Sequence, residues 1–250
     1  MKLIRFTYKN KEYYGIPDKD TVELCSGSIA EGFAQTGEKA NMNEIKILAP
    51  VMPSKAVCVG RNYRAHVMET GSDIPEEPMI FIKPTTTIIA NGESIVYPPI
   101  SKSVDYEGEL AIIIGATAKN VPADKVYDYI FGYTCANDVT ARDLQRKDGQ
   151  WTRGKGFDTF MPLGPCIETD IDPTHLPIRT LHNGKVVQES NTELFIFDIP
   201  RMISFITEVM TLLPGDVVLT GTPSGIGPMQ PGDSVVVEID GIGRLENTVK

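Results

Sequence analysis

Val104-Asp105-Tyr106-Glu107-Gly108-Glu109-Leu110 runs directly into Ala111-Ile112-Ile113-Ile114. The second part is an apolar, β-branched run and reads as a buried strand. On a strand, residues two apart face the same way, roughly 6.5–7 Å apart at Cα. Glu107 and Glu109 therefore aim two carboxylates at one spot beside the core. Like charges converging there repel and are costly to desolvate. A divalent cation is the simplest compensation, and an all-oxygen donor set favours Mg²⁺ or Mn²⁺ over zinc.

An E-x-E pair alone is usually a solvated strand face. Here a second segment supports the stronger reading. Tyr133-Thr134-Cys135-Ala136-Asn137-Asp138 reads as a short strand ending in a carboxylate, in front of Thr140-Ala141-Arg142-Asp143. Asp138 stands where a third ligand is expected.

The 250 residues suffice for one large domain, or a large and a small one, and 41% hydrophobic with 23% charged residues is ordinary for a globular protein. A net charge of −9 argues against nucleic acid and against an anionic membrane surface as partners. It does not argue against an anionic substrate, because a bound metal inverts the local field. Met1-Lys2-Leu3-Ile4-Arg5 lacks the apolar core of a signal peptide. No apolar run reaches the length of a membrane span. Cys25, Cys58, Cys135 and Cys166 show no CxxC spacing and read as reduced, buried thiols, so the expected location is the cytoplasm.

The chain divides near Leu48-Ala49-Pro50 and Met52-Pro53 into a small opening segment, residues 1–50, and a body, residues 51–250. In the opening segment, Leu3–Tyr8 and Glu12–Ile16 read as a hairpin around Lys9-Asn10-Lys11, and Ser28–Thr36 as a short helix. The body carries many short strand signals, among them Ala56–Val59, Met79–Lys83, Glu109–Gly115, Gly132–Asn137, Val217–Thr220, Ser234–Ile239 and Gly243–Val249. Asn183-Gly184 and Asp240-Gly241 mark hairpin turns. One strong helix is expected over Pro200–Leu213, with Asp198 as N-cap and an apolar stripe through Met202, Ile203 and Ile206. Regular βαβ alternation is absent, so the expected class is β-rich α+β.

Gly60-Arg61-Asn62-Tyr63-Arg64-Ala65-His66-Val67-Met68-Glu69 follows the strand Ala56–Val59. His66 and Glu69 are three apart, so on a helical turn they share a face. A histidine is the usual proton carrier at neutral pH, and a carboxylate raises its basicity and fixes its orientation. A surface ion pair is the plain alternative. Residues 70–78 read as a mobile loop able to close over a substrate. His182 lies beside a hairpin turn and His175 in a loop, both poorer candidates. Trp151-Thr152-Arg153-Gly154-Lys155-Gly156 places a cation between two glycines. Gly221-Thr222-Pro223-Ser224-Gly225-Ile226-Gly227-Pro228 lacks the Lys-Ser/Thr ending of a P-loop, but its N–H groups and Thr222 could hold a carboxylate.

The segments GRNYRAHVMET at 60–70, FIKP at 81–84, DYEGELAIIIG at 105–115, GYTCANDVTARDLQ at 132–145, GKGFDTFMPLGP at 154–165 and GDVVLTGTPSGIGP at 215–228 occur in this order. Together they resemble the fumarylacetoacetate hydrolase family over about residues 53–250. The resemblance implies a mixed β-roll with a small N-terminal α/β segment, a divalent-metal site and a homodimer. It places the metal ligands on Glu107, Glu109 and Asp138 and a His–Glu dyad on His66 and Glu69. A lysine of the site falls on Lys155, and substrate-contacting side chains fall on Gln145 and Thr222. Arg61 and Arg142 match family arginines without an assigned contact. The longest members carry a larger N-terminal domain than residues 1–50 provide, which points away from fumarylacetoacetate itself as substrate.

The chemistry shared by such sites is cleavage or rearrangement beside a 2-oxo acid, with Mg²⁺ or Mn²⁺ as cofactor and a small 2-oxo acid as substrate. Three readings need the same residues: an acylpyruvate hydrolase, an oxaloacetate-type decarboxylase, and an isomerase, hydratase or tautomerase of 2-hydroxy-diene-dioates. A complete dyad able to activate water favours the hydrolase. A metal-stabilised binding protein without catalysis is the remaining alternative, and the presence of every acid–base group argues against it.

Overall fold

The computed structural model describes all residues, 1–250. The strand Gly108–Ile114 is buried along its whole length. Alternation sends Leu110, Ile112 and Ile114 into one core cluster and Ala111 and Ile113 into another, as a period of two requires. The β-branched run thus sits where both sheet faces are covered.

Gly108–Ile114 pairs antiparallel with Ile130–Asn137 on one side and with Val217–Leu219 on the other. Past Val217–Leu219 come Ala56–Gly60, in parallel, and Met79–Lys83. On the far side Ile130–Asn137 pairs with Met161–Glu168, which pairs with Lys2–Tyr8. Through Lys2–Tyr8 the sheet runs on into a meander of Lys11–Asp18, Thr21–Ser28 and Gly32–Asn41. A five-stranded sheet contains Lys185–Asn191, Pro177–His182, Ser234–Ile239, Gly243–Val249 and Ser94–Ile95. Its Val237, Ile239 and Leu245 share a core cluster with Ile112, so it covers one face of the main sheet. Thr140–Ala141, Val104–Tyr106 and Gly227–Met229 form a third, small sheet.

The α-helices are few: α1 (Arg64–Glu69), α2 (Arg142–Asp148), α3 (Thr152–Lys155) and α4 (Ile199–Val209). In α4 the Asp198 side chain accepts from the Arg201 N–H, a standard N-cap. Its apolar stripe, Ile199, Met202, Ile203 and Ile206, enters the cluster of Ile112 and Ile114. The helix stops at Val209, short of the expected Leu213, because Leu212 leaves to pair with the backbone of Ala118. The β-rich α+β class and the roll architecture are as expected from the sequence.

One local expectation fails, and one strand carried no signal in the sequence. The helix expected over Ser28–Thr36 is a turn followed by the strand Gly32–Asn41, which pairs with Thr21–Ser28. Phe33 there packs on Tyr14 and Phe131, with ring centroids at 4.7 and 5.8 Å, and sheet pairing with this aromatic contact overrides a weak helical signal. The strand Met161–Glu168 lacked a signal because Pro162, Gly164 and Pro165 interrupt it. It is tolerated where the pairing register with Ile130–Asn137 shifts.

The parallel pairing of Val217–Leu219 with Ala56–Gly60 carries the turn that holds His66. Asp216, fully buried, fastens this pair. One of its oxygens accepts from the Ser54 hydroxyl and N–H at 2.6 and 3.0 Å, and the other from Lys55 Nζ at 2.5 Å and the Leu213 N–H at 2.8 Å. Burial alone would raise the Asp216 carboxyl, but Lys55, Ser54 and the Leu213 N–H hold it below the usual carboxylate range. Asp216→Ala is expected to lower stability by about 3 kcal/mol in urea or thermal unfolding, since it strands a part-buried ammonium and several donors. The Asp216 contribution is complete above the unfolded-state pKa of about 3.9 and is lost as pH falls through the lower folded-state value. The stability gap between wild type and variant should therefore narrow in acid.

Candidate active site

Register builds the centre. Gly108 pairs with Asn137 and Glu109 with Ala136. Just beyond the paired stretch, the Glu107 N–H donates to Asn137 Oδ1 at 2.9 Å, and the Asp138 N–H donates to the Glu107 carbonyl at 2.8 Å. The strand ends thereby bring Asp138 against Glu107, and the two-residue repeat adds Glu109. One oxygen from each of the three buried carboxylates lies within 4.8 Å of the others. Gly108 separates the two glutamates for a steric reason: a Cβ there would stand 2.1 Å from Thr180 Oγ1.

Cations crowd this cluster. Lys155 Nζ lies 2.7 Å from Glu107 Oε2 and 2.6 Å from Asp138 Oδ2. Lys83 Nζ, fully buried, donates to Asp138 Oδ1 at 2.6 Å and to the Val139 carbonyl at 3.1 Å. Arg142 donates from Nε to Asp105 Oδ2 at 2.9 Å, from Nη1 to Gln145 Oε1 at 2.7 Å, and from Nη2 to Glu107. Four buried carboxylates thus face three buried cations. The carboxylate left over is Glu109, whose hydrogen-bond donor is the Gly221 N–H at 2.7 Å.

The titration directions follow. Burial would raise Glu107, but Lys155 and Arg142 hold it well below the usual range. Burial pushes Glu109 up, and the charges of Asp138 and Glu107 push it further. Burial would lower Lys155, yet Asp138 and Glu107 raise it. An oxygen-only donor set with one carboxylate lacking a cationic partner fits a divalent cation.

His66 and Glu69 share one face of α1. His66 Nδ1 lies 3.4 Å from Glu69 Oε2, while Glu69 Oε1 accepts from the Gly225 N–H at 2.9 Å. Glu69 therefore ties the histidine turn to the glycine loop. Burial lowers the His66 pKa against the opposing pull of Glu107 and Glu69, which favours the uncharged ring.

A cavity of about 290 Å³ is lined by His66, Lys155, Gln145, Thr222 and the three carboxylates. Glu69 backs the histidine rather than lining the space. His182 instead pairs with Asp233 at 2.8 Å, and exposed His175 with Glu193 at 3.3 Å, both away from this cavity. The Gly221–Pro228 loop does hold carboxylates through its N–H groups, those of Glu109 and Glu69, but its Thr222 hydroxyl turns to the backbone instead. The first loop N–H binds Glu109, and Thr222 Oγ1 donates to the Gly108 carbonyl at 3.0 Å while accepting from Gln188 Nε2 at 2.9 Å.

Several participants were not named from the sequence. Lys83 ends an apolar strand before Pro84, and a lysine in that place is a usable signal. Gln188, buried on Lys185–Asn191, accepts from the Gly108 N–H at 3.0 Å and so joins the carboxylate strand to the glycine loop. Asn62 accepts from the Phe197 N–H at 2.8 Å and donates to the Thr220 carbonyl at 2.8 Å. Nothing local in the sequence announces such long-range amide bonds. Arg142, listed above without a contact, receives one here: it binds Asp105, Glu107 and Gln145 together.

Residues 55–250 match the fumarylacetoacetate (FAA) hydrolase C-terminal family, and residues 1–50 match a family described as Rv2993c-like, N-terminal. A protein of Archaeoglobus fulgidus described as uncharacterized is 54% identical, covering 90% of this chain and 93% of its own. The X-ray structure of 5-carboxymethyl-2-hydroxymuconate delta-isomerase from Mycobacterium smegmatis is 45% identical with a TM-score of 0.93, covering 100% of this chain and 99% of its own. Oxaloacetate tautomerase YisK of Bacillus subtilis is 40% identical over 84% of this chain and 74% of its own. The fold and site define a β-roll protein with a buried acidic metal-type centre. The chain belongs to the fumarylacetoacetate hydrolase family, whose members are metal-dependent enzymes. No helix is long and apolar enough to cross a membrane.

Glu109→Gln supplies a sharp test of the centre. It keeps the shape and removes the carboxylate that lacks a cationic partner. Calorimetry with Mg²⁺ or Mn²⁺ should show at least about tenfold weaker binding, the scale on which metal sites respond to lost ligands and their supports. Thermal unfolding of the metal-free protein should move the other way, to higher temperature, because repulsion among three buried carboxylates is relieved.

Proposed function

We propose that the protein is an enzyme of small 2-oxo acids that moves a proton at the carbon beside the oxo group, as a tautomerase or isomerase. The observation that carries this reading is a buried, Glu69-oriented His66 sharing one cavity with the carboxylate cluster. Relatives named for tautomerisation and isomerisation resemble the chain over most of its length. Held by Glu107, Glu109 and Asp138, a divalent cation would supply Lewis-acid polarisation of the substrate's carboxylate and oxo oxygens.

The chain's own residues do the rest. With Nδ1–H directed to Glu69, His66 keeps the Nε2 lone pair free. It takes the proton from C3 there and returns it to the oxo oxygen, or to a more distant carbon in a diene. Lys155 and Arg142 set positive charge beside the oxygen on which negative charge develops. Gln145, whose Oε1 is fixed by Arg142, turns its amide N–H toward the bound acid, and Thr222 braces the wall beside it.

Hydrolysis is the second reading, and the same dyad favours it. His66 would take a proton from water, hydroxide would add to the C4 carbonyl of an acylpyruvate, and the C3–C4 bond would break with its electron pair leaving on C3. Water access to His66 Nε2 separates the two.

A panel with Mg²⁺ or Mn²⁺ tests them together. Keto–enol conversion of oxaloacetate is followed by absorbance, pyruvate release from acylpyruvates by a coupled assay, and CO₂ in parallel. Faster enolisation without C–C cleavage supports the first reading. Pyruvate release as the main reaction replaces it with the second, and silence in all channels removes both. His66→Ala should cost about 10²–10⁴-fold in rate, the usual worth of a general base, while oxalate affinity falls much less. Equal loss of both would mean that His66 only holds the site together.

A further inference from the structure

Two arginines at the cavity have no partner in the protein. Arg61 and Arg146 both line it, with the hydroxyl residues Thr70 and Ser72. The inner cations are committed: Lys155 and Arg142 to the carboxylate cluster, and Lys83 to Asp138 behind it. Nearby Arg153 is paired with Asp148 at 2.5 Å. Arg61 and Arg146 make neither an ion pair nor a side-chain hydrogen bond. The chain has 33 acidic residues against 24 basic ones, so a shortage of carboxylates does not explain it.

Arg61 is also held in an unusual backbone state. Its φ is +57°, the left-handed region that residues other than glycine, asparagine and aspartate seldom occupy. Both neighbours are closely packed. The Trp151 ring lies 2.6 Å from where a Cβ on Gly60 would stand. Asn62 is anchored to Phe197 and Thr220. A strained residue persists when its surroundings over-determine it, and such strain clusters at ligand-binding positions. Arg146 arrives independently, from α2, one residue after Gln145.

Burial orders these groups along the cavity. The carboxylate cluster, Lys155 and Arg142 are buried, Arg61 is half-buried and Arg146 is exposed. The lining therefore combines a buried set of mixed charge with two more exposed guanidiniums that have no partner in the protein. A guanidinium recognises a carboxylate by parallel N–H···O bonds.

We infer that Arg61 and Arg146 form a distal-carboxylate subsite, which makes the enzyme selective for 2-oxo dicarboxylates over 2-oxo monocarboxylates. This rests on the 2-oxo acid reading above. The 2-oxo acid end is held by the buried set, and the far carboxylate meets the two arginines.

Length-matched pairs test it by calorimetry in Mg²⁺, without turnover: oxaloacetate against 2-oxobutanoate, 2-oxoglutarate against 2-oxopentanoate, and 2-oxoadipate against 2-oxohexanoate. In at least one pair the wild type should bind the dicarboxylate about tenfold or more tighter, the scale of a charge-assisted bond. Arg146→Gln, on an exposed helix face, and Arg61→Asn, which tolerates the left-handed backbone, should each shrink that ratio severalfold. The double variant should bring it near one. Circular dichroism and thermal unfolding confirm that the variants are folded. Equal binding within every pair, or a ratio the folded variants leave unchanged, overturns the subsite while the 2-oxo acid reading stands. Binding of neither member of any pair overturns that reading and the subsite with it.

Discussion

The antiparallel register of Gly108–Ile114 against Ile130–Asn137 is the constraint on which the rest of the molecule is arranged. It brings Glu107, Glu109 and Asp138 together away from water, where like charges repel and each lone carboxylate is expensive to desolvate. The protein meets that cost with three buried cations from three separate elements: Lys83 from Met79–Lys83, Arg142 from α2 and Lys155 from α3. Each of those elements is placed by the need to deliver one charge. Because Arg142 also binds Asp105, four carboxylates share the three cations and compensation stops one charge short, at Glu109. A fully neutralised cluster would be a structural ion network; an incompletely neutralised one is suited to a cation.

A second layer keeps the charges where they are useful, and it is made of amides and one carboxylate. Gln188 spans from the Gly108 N–H to Thr222, Asn62 from Phe197 to Thr220, and Asp216 from Lys55 to Leu213. Each joins segments more than thirty residues apart in sequence. Through them the histidine turn, the glycine loop and the carboxylate strand form one rigid frame, and Glu69 closes it by holding both His66 and Gly225. Preorganisation of this kind lets a weak base and fixed charges act without rearrangement during the reaction.

What could be read from sequence divides along the same physical line. Local signals were legible: the two-residue period of the acidic strand, the i, i+3 pairing of His66 and Glu69, the Asp198 cap and the Lys9-Asn10 turn, whose residues both have positive φ. The family resemblance supplied Lys155, Gln145 and Thr222, which line the cavity. Illegible features depended on distant partners. Met161–Glu168 is a strand only because two neighbours accept its prolines, and Gly32–Asn41 only because a meander and an aromatic contact recruit it. Lys83, at the end of an apolar strand before Pro84, carries a local signal, but its partner Asp138 is fifty-five residues away and could not be read from it.

The division between a buried charged set and more exposed arginines also explains how one fold serves several reactions. On the proposed reading, polarising a 2-oxo acid and moving a proton beside it would call on the carboxylate cluster, the nearby cations and His66, all set by the sheet and its crossing bonds. What happens next depends on whether water reaches His66 and on what lies at the substrate's far end. Those features belong to Arg61 at the start of the histidine turn, to Arg146 at the surface of α2 and to the residues after α1. Changes there alter substrate choice and outcome without disturbing the costly charge arrangement beneath. In this chain, two guanidiniums that line the cavity without a partner in the protein are the groups on which the proposed choice of substrate turns.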